Sequence, residues 1–248
     1  TDRSRGLGDV YKRQDLLLEI HKKPTGVAYV YLEPFMEIEK YYNIIQKFNK
    51  AGIYQHLYTN GTLATETTLK ALGEAGLNEL RFNLGASGCA DKVIENIGRA
   101  KKYIKKVGIE TPMTNEFFEK FFLKKQAVLD TGLDFINCAE LHLNPNNIEN
   151  YWGEKMYIAR HGYISPIWSR ELTLRFMAAA AKEKWNLVVH DCSNDTKFAR
   201  DLNLGAKEGK WFGASSYTSE FLEIPYAVFL PVLRLSLIHI SEPTRPIS

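Results

Sequence analysis

Several features that would identify a function at once are missing from this chain. It has no apolar run near the roughly 20 residues needed to span a bilayer, and no secretory signal pattern. It has only three cysteines in 248 residues, Cys89, Cys138 and Cys192, spaced too far apart to suggest a disulfide framework. A reducing, cytoplasmic setting is therefore expected, with no membrane partner. An excess of one charge is missing too. The 32 Lys/Arg stand against 29 Asp/Glu, which leaves no basic footprint for a nucleic-acid partner.

The two termini are set aside for a different reason. One possible coding of Ser4–Gln14, read on the opposite strand, translates as Leu-Ser-Leu-Ile-His-Ile-Ser-Glu-Pro-Thr-Arg, which is Leu235–Arg245. Two unrelated protein segments are not encoded by complementary DNA by accident, and that DNA resembles a transposase adapter used in sequencing libraries. Residues 1–14 and 235–248 are expected to be adapter-derived tails. Residues 15–234 are then an internal piece of a longer reading frame, still long enough for one sizeable core.

What is present alternates between two periods. Asp15–Lys23 has the character of a helix end, stopped by Pro24-Thr25-Gly26. Strands are expected at Gly26–Leu32, Tyr54–Tyr58, Glu79–Leu84, Ile109–Met113, Phe135–Leu143 and Asn186–His190. Helices are expected between them at Glu37–Lys50, Thr65–Ala75, Asp91–Lys106, Glu116–Asp130 and Ser169–Lys184. In the first of these, Ile38, Tyr41, Tyr42, Ile45 and Phe48 form one apolar stripe. Four glycines, Gly52, Gly76, Gly108 and Gly132, punctuate the pattern as helix stops, because glycine takes the left-handed C′ conformation cheaply. Strands alternating with helices predict an α/β fold with a parallel sheet, part of a (β/α) barrel over residues 15–204. The aromatic-rich residues 205–234 are expected to be a C-terminal extension.

In such a sheet, ligands bind where loops leave the carboxyl ends of the strands. Those ends carry Glu33-Pro34, Thr59-Asn60-Gly61, Asn83, Glu110, then Glu140, His142 and Asn144, and finally His190 and Cys192. Period-2 alternation would set Glu140, His142 and Asn144 on one side. Singly, each has an ordinary explanation. Asn-Gly is a strong turn signal, Glu33 before a proline is acceptable as a solvated loop acid, and a lone strand histidine is more often a satisfied core residue. The set is harder to dismiss than its members.

The order strand–Glu33-Pro34–helix–strand–Thr59-Asn60-Gly61–helix–Ala75-Gly76-Leu77-x-Glu79-Leu80-Arg81-Phe82-x-Leu84 resembles the core of radical S-adenosylmethionine enzymes. His190-x-Cys192-Ser193 extends the resemblance toward relatives of pyruvate formate-lyase activating enzymes. The resemblance implies a [4Fe-4S] cluster that reductively cleaves S-adenosylmethionine to a 5′-deoxyadenosyl radical, with an electron donor and a small-molecule, peptide or protein substrate as partners. It further implies that Glu33, Pro34, Thr59, Asn60, Gly61, Asn83 and Glu110 lie on the cofactor side. Glu140, His142, Asn144, Arg160, His190 and Cys192 are assigned to the substrate side. Two departures stand out. The family's Cys-x3-Cys-x2-Cys motif is not in the chain, so the first strand and cluster loop are expected to precede residue 15 in a longer parent, and the piece itself to be inactive. Tyr31-Leu32 also stands where the family has Gly-Gly. Two rival readings follow: a non-catalytic barrel that binds a small molecule or partner, and an ordinary acid–base enzyme using Glu33, Glu140 and His142.

Overall fold

The computed structural model describes residues 26–30, 32–144, 146–158 and 164–193. The expected terminal tails, the helix end at 15–23, the extension at 205–234 and Arg160 lie outside the described residues. What is described falls into two compact units: residues up to Leu141 with Trp168–Asp191, and His142–Ile167 with the residues from Cys192.

The first unit carries a six-stranded sheet in the order β1 (Gly26–Tyr29), β2 (Tyr54–Thr59), β3 (Glu79–Phe82), β4 (Lys106–Pro112), β5 (Phe135–Ala139) and β8 (Val188–Cys192). The registers from β1 through β5 are parallel at every step. The helices α1 (Glu39–Lys50), α2 (Glu66–Ala75), α3 (Asp91–Ala100) and α4 (Asn115–Leu129) alternate with these strands. The long α5 (Ile167–Glu183) precedes β8. Leu57, Leu80, Phe82, Val107, Ile109, Ile136 and Cys138 form one core with Ile45, Phe48, Leu69, Leu72, Ile97, Phe121 and Phe176 from the helices. One face of the sheet is therefore the helix face.

Local chemistry explains where the helices begin and end. Thr65 and Thr68 form a reciprocal capping box at the start of α2, which satisfies backbone donors that a helix start leaves unpaired. The Thr114 hydroxyl accepts from the Phe117 N–H to open α4. Gly52, Gly76 and Gly132 take φ of 70°, 92° and 70° just after helices, as helix stops should.

Gly108 departs from that pattern. Helix α3 ends at Ala100, and β4 begins at Lys106, three residues before its expected start. Gly108 is thus a strand residue, and a Cβ there would come within 2.4 Å of the Phe135 ring. Its glycine admits a neighbour's ring rather than ending a helix. The strands expected at Gly26–Leu32 and Phe135–Leu143 are shorter, ending at Tyr29 and Ala139.

The second unit contains an antiparallel pair, β6 (Met156–Ile158) with β7 (Ile164–Pro166), that the sequence pattern did not suggest. Leu143 forms a bridge to Ile164 beside it. Among the described residues no helix is long and apolar enough to cross a membrane.

Candidate functional site

Glu33 follows β1 and caps the short 3-10 turn Pro34–Met36, whose Pro34 is buried. Its Oε1 accepts from the Phe35 N–H at 3.1 Å and from the Thr59 hydroxyl at 2.8 Å, and its Oε2 accepts from the Asn60 N–H at 2.7 Å. A carboxylate has about four acceptor positions. One, on Oε2, is left over among the described residues. The Thr59 hydroxyl also accepts from the Gly61 N–H at 2.9 Å, so a single threonine ties the carboxylate to the turn after β2. Gly61 has φ of 77°, and a Cβ there would meet the Phe82 ring at 2.6 Å. The turn is therefore built on glycine for both conformation and space.

The tie continues across the sheet. The Asn83 N–H donates to the Thr59 carbonyl at 2.7 Å, and the Asn83 Oδ1 accepts from the Thr111 hydroxyl at 2.8 Å and from the Ala86 N–H at 3.1 Å. Glu33, Thr59, Asn60, Gly61 and Asn83 thus share one hydrogen-bonded rim across the carboxyl ends of β1–β4. Between β1 and Glu33, Leu32 holds φ of 45° with 83% of its surface exposed. A left-handed backbone costs an L-residue roughly 1–2 kcal/mol, and this leucine has little packing to offset it.

Glu110 belongs to a different group, on the face away from the helices. Its Oε2 accepts from Arg81 Nη1 at 2.6 Å, Asn137 Nδ2 at 2.9 Å and the Tyr58 hydroxyl at 3.4 Å. Arg81 Nη1 also donates to the Tyr58 hydroxyl at 2.8 Å, and Arg81 Nε donates to Glu79. The Tyr54 hydroxyl donates to the other Glu79 oxygen. Burial works against the Arg81 cation, yet Tyr58, Glu110 and Glu79 more than offset it and hold its pKa above the usual arginine value. Burial, reinforced by the Arg81 charge, pushes the His56 imidazole below its ordinary 6.5, against an opposing pull from Glu79 and Glu110. Of this group the sequence reading singled out Glu110 alone. The available signal was polar residues two apart on neighbouring strands: Tyr54-x-His56-x-Tyr58 and Glu79-x-Arg81.

The remaining expected residues are dispersed. Because β5 stops at Ala139, strand alternation does not carry on to Asn144. Glu140 is buried in the first unit, 4.0 Å from Arg170 Nε. His142 and Asn144 belong to the second unit, where the Asn147 side chain bonds the His142 carbonyl and the Asn144 N–H. His190 is exposed on β8, and Cys192 is buried at its end. Cys89, Cys138 and Cys192 are all buried and outside any disulfide, and burial pushes the Cys89 thiol up to about 11.

No protein-family model matches the chain. A curated protein of Methanocaldococcus jannaschii, provisionally named a glycyl-radical enzyme activating enzyme, is 30% identical over 131 residues. That is 49% of this chain and 35% of the relative. Streptococcus suis SuiB bound to S-adenosylmethionine matches with a TM-score of 0.56 at 14% identity, over 77% of this chain and 44% of SuiB. SuiB bound to its precursor peptide SuiA matches with a TM-score of 0.53 at 15% identity and the same coverage. The chain therefore spans about a third of the curated relative and under half of SuiB. The architecture shared with SuiB is a partial (β/α) barrel, a sheet whose strands alternate with helices.

Proposed function

We propose that this chain is the ligand-holding core of a radical S-adenosylmethionine enzyme, and that the Glu33 rim takes the amino end of S-adenosylmethionine. One observation carries the reading: three donors fix the Glu33 carboxylate and one acceptor position on Oε2 is left over. That position suits an N–H of an ammonium, as a charge-assisted hydrogen bond. Thr59, Asn60, Gly61 and Asn83 hold the carboxylate in place, and Pro34 sets the turn that presents it. The fold shared with SuiB, solved with S-adenosylmethionine, supports the ligand; the SuiA complex makes a peptide the favoured substrate class.

The described residues do not fit a [4Fe-4S] cluster. Among them no group of three His, Cys, Asp or Glu could hold a metal ion, and the three cysteines, far apart in sequence, are each buried. The part assigned to this chain is to bind and orient the ligand, and no electron-transfer step is assigned to it.

A second reading, a barrel that binds a small molecule without radical chemistry, is favoured by Leu32. The backbone there keeps a glycine-like φ while the side chain stands exposed where a ligand would approach. Calorimetric titration of S-adenosylmethionine tests the first reading. Glu33→Ala is expected to weaken binding by about tenfold or more, which is about 1.4 kcal/mol. Equal affinity in the two proteins removes it. The second reading is favoured if neither the chain nor Leu32→Gly binds S-adenosylmethionine.

A further inference from the structure

We propose that the sheet face away from the helices holds a second binding subsite, centred on Glu110, for a cationic hydrogen-bond donor such as a primary ammonium or guanidinium group. This deepens the reading above by naming the substrate chemistry, and it shares with that reading only the premise that this sheet faces a ligand.

Three other strands of the sheet, the adjacent β3 and β5 and the next-but-one β2, fix the Glu110 carboxylate. Tyr58 of β2, Arg81 of β3 and Asn137 of β5 all donate to its Oε2, and Oε1 accepts nothing among the described residues. A carboxylate oriented by its own neighbours loses little freedom when a ligand arrives. The Glu110 side chain is 15% exposed, which leaves it reachable while screening its charge less than a surface site would.

Charge then selects the ligand's sign. Among the described residues Arg81 is the one cation paired with Glu79 and Glu110, so the three together carry one negative charge in excess. Its Nε and Nη1 are committed to Glu79, Tyr58 and Glu110, and an incoming anion would meet two carboxylates for one guanidinium. Among the described residues, the other ionisable groups facing this layer do not reverse the sign. Lys106 sits over the Tyr54 ring at 5.9 Å, four residues before Glu110 and roughly 13 Å away along the strand. His56 stands edge-on to Tyr58 at 5.3 Å, and its depressed pKa keeps it neutral near pH 7. His190 is exposed on β8, two strands from Glu110. The Tyr58 and Phe135 rings, 5.3 and 5.7 Å from the Arg81 guanidinium, border the cluster with aromatic surface. That surface suits the alkyl stem of a basic side chain.

The test uses the whole chain and three probes with one backbone: the N-acetyl methylamides of lysine, Nε-acetyllysine and glutamate. The Asn137 side-chain amide resonances report on Glu110 directly, because that amide donates to its Oε2. The lysine probe is expected to shift them saturably, with the other two weaker by about tenfold or more. Glu110→Gln should abolish the preference for lysine, while Glu116→Gln, which removes an exposed carboxylate on α4, should keep it. A glutamate probe that binds equally well, no shift with any probe, or a lysine preference that survives Glu110→Gln would each overturn the proposal. If Glu110→Gln does not fold, the lysine and acetyllysine comparison on the unaltered chain decides alone. A failure here leaves the Glu33 reading standing, because S-adenosylmethionine binding is read through Glu33→Ala. Loss of that reading with the Asn137 shifts intact leaves this subsite standing.

Discussion

Leu57, Leu80, Ile109 and Ile136 turn toward the helices from β2, β3, β4 and β5 and are wholly buried. Their immediate neighbours, Tyr58, Arg81, Glu110 and Asn137, turn the other way and stay partly exposed. The first layer is held by packing, which has no direction and no charge. The second is held by hydrogen bonds and ion pairs that need specific partners. A polar layer of this kind is weak support for stability, because an apolar replacement often serves equally well. Its presence beside an ordinary core is better explained by something the face binds.

That contrast can be broken in order of expected effect. Phe82→Ala, on the helix face, should cost about 4 kcal/mol in urea unfolding, from lost transfer energy and the cavity left behind. A cost under about 1 kcal/mol would show that this face is not close-packed. Arg81→Ala should cost roughly 3 kcal/mol, because it strands two carboxylates. Arg81→Met combined with Glu79→Gln and Glu110→Gln should recover most of that loss. If the triple variant stays as unstable as the single one, the polar face contributes packing after all.

The smallest effect belongs to His56. Its folded pKa is depressed, so its contribution to stability is fully present above the unfolded value near 6.5. That contribution is lost as pH falls from there through the lower folded value. Between about pH 7 and pH 5, His56→Gln should lose less stability than the unaltered chain. Equal losses would mean the imidazole is not held neutral.

The helix face was largely legible in the sequence, because Ile38, Ile45 and Phe48 repeat at helical spacing and all three are buried in the structure. The Thr59-Asn60-Gly61 turn was legible for a local reason, since Asn-Gly signals a turn and the φ of 77° there demands its glycine. Gly108 was misread because an isolated glycine after a lysine-rich helix gives the same signal whether it stops the helix or makes room for Phe135 inside a strand. The pairing of Tyr58, Arg81, Glu110 and Asn137 was not legible for a deeper reason: its partners lie 23 to 52 residues apart in sequence. The β2 segment Tyr-Gln-His-Leu-Tyr-Thr also does not show which face is polar, because Gln55 is buried on the helix side, bonded to Tyr29 and to the Ile45 carbonyl.

Adding S-adenosylmethionine to the ¹⁵N-labelled chain and following the backbone amides of Phe35, Asn60 and Gly61 tests the Glu33 rim most directly. These three amides should move saturably while those of Val107 and Ile136, on the helix face, stay in place. Rim amides that do not move, or movement confined to the helix face, would contradict the assignment.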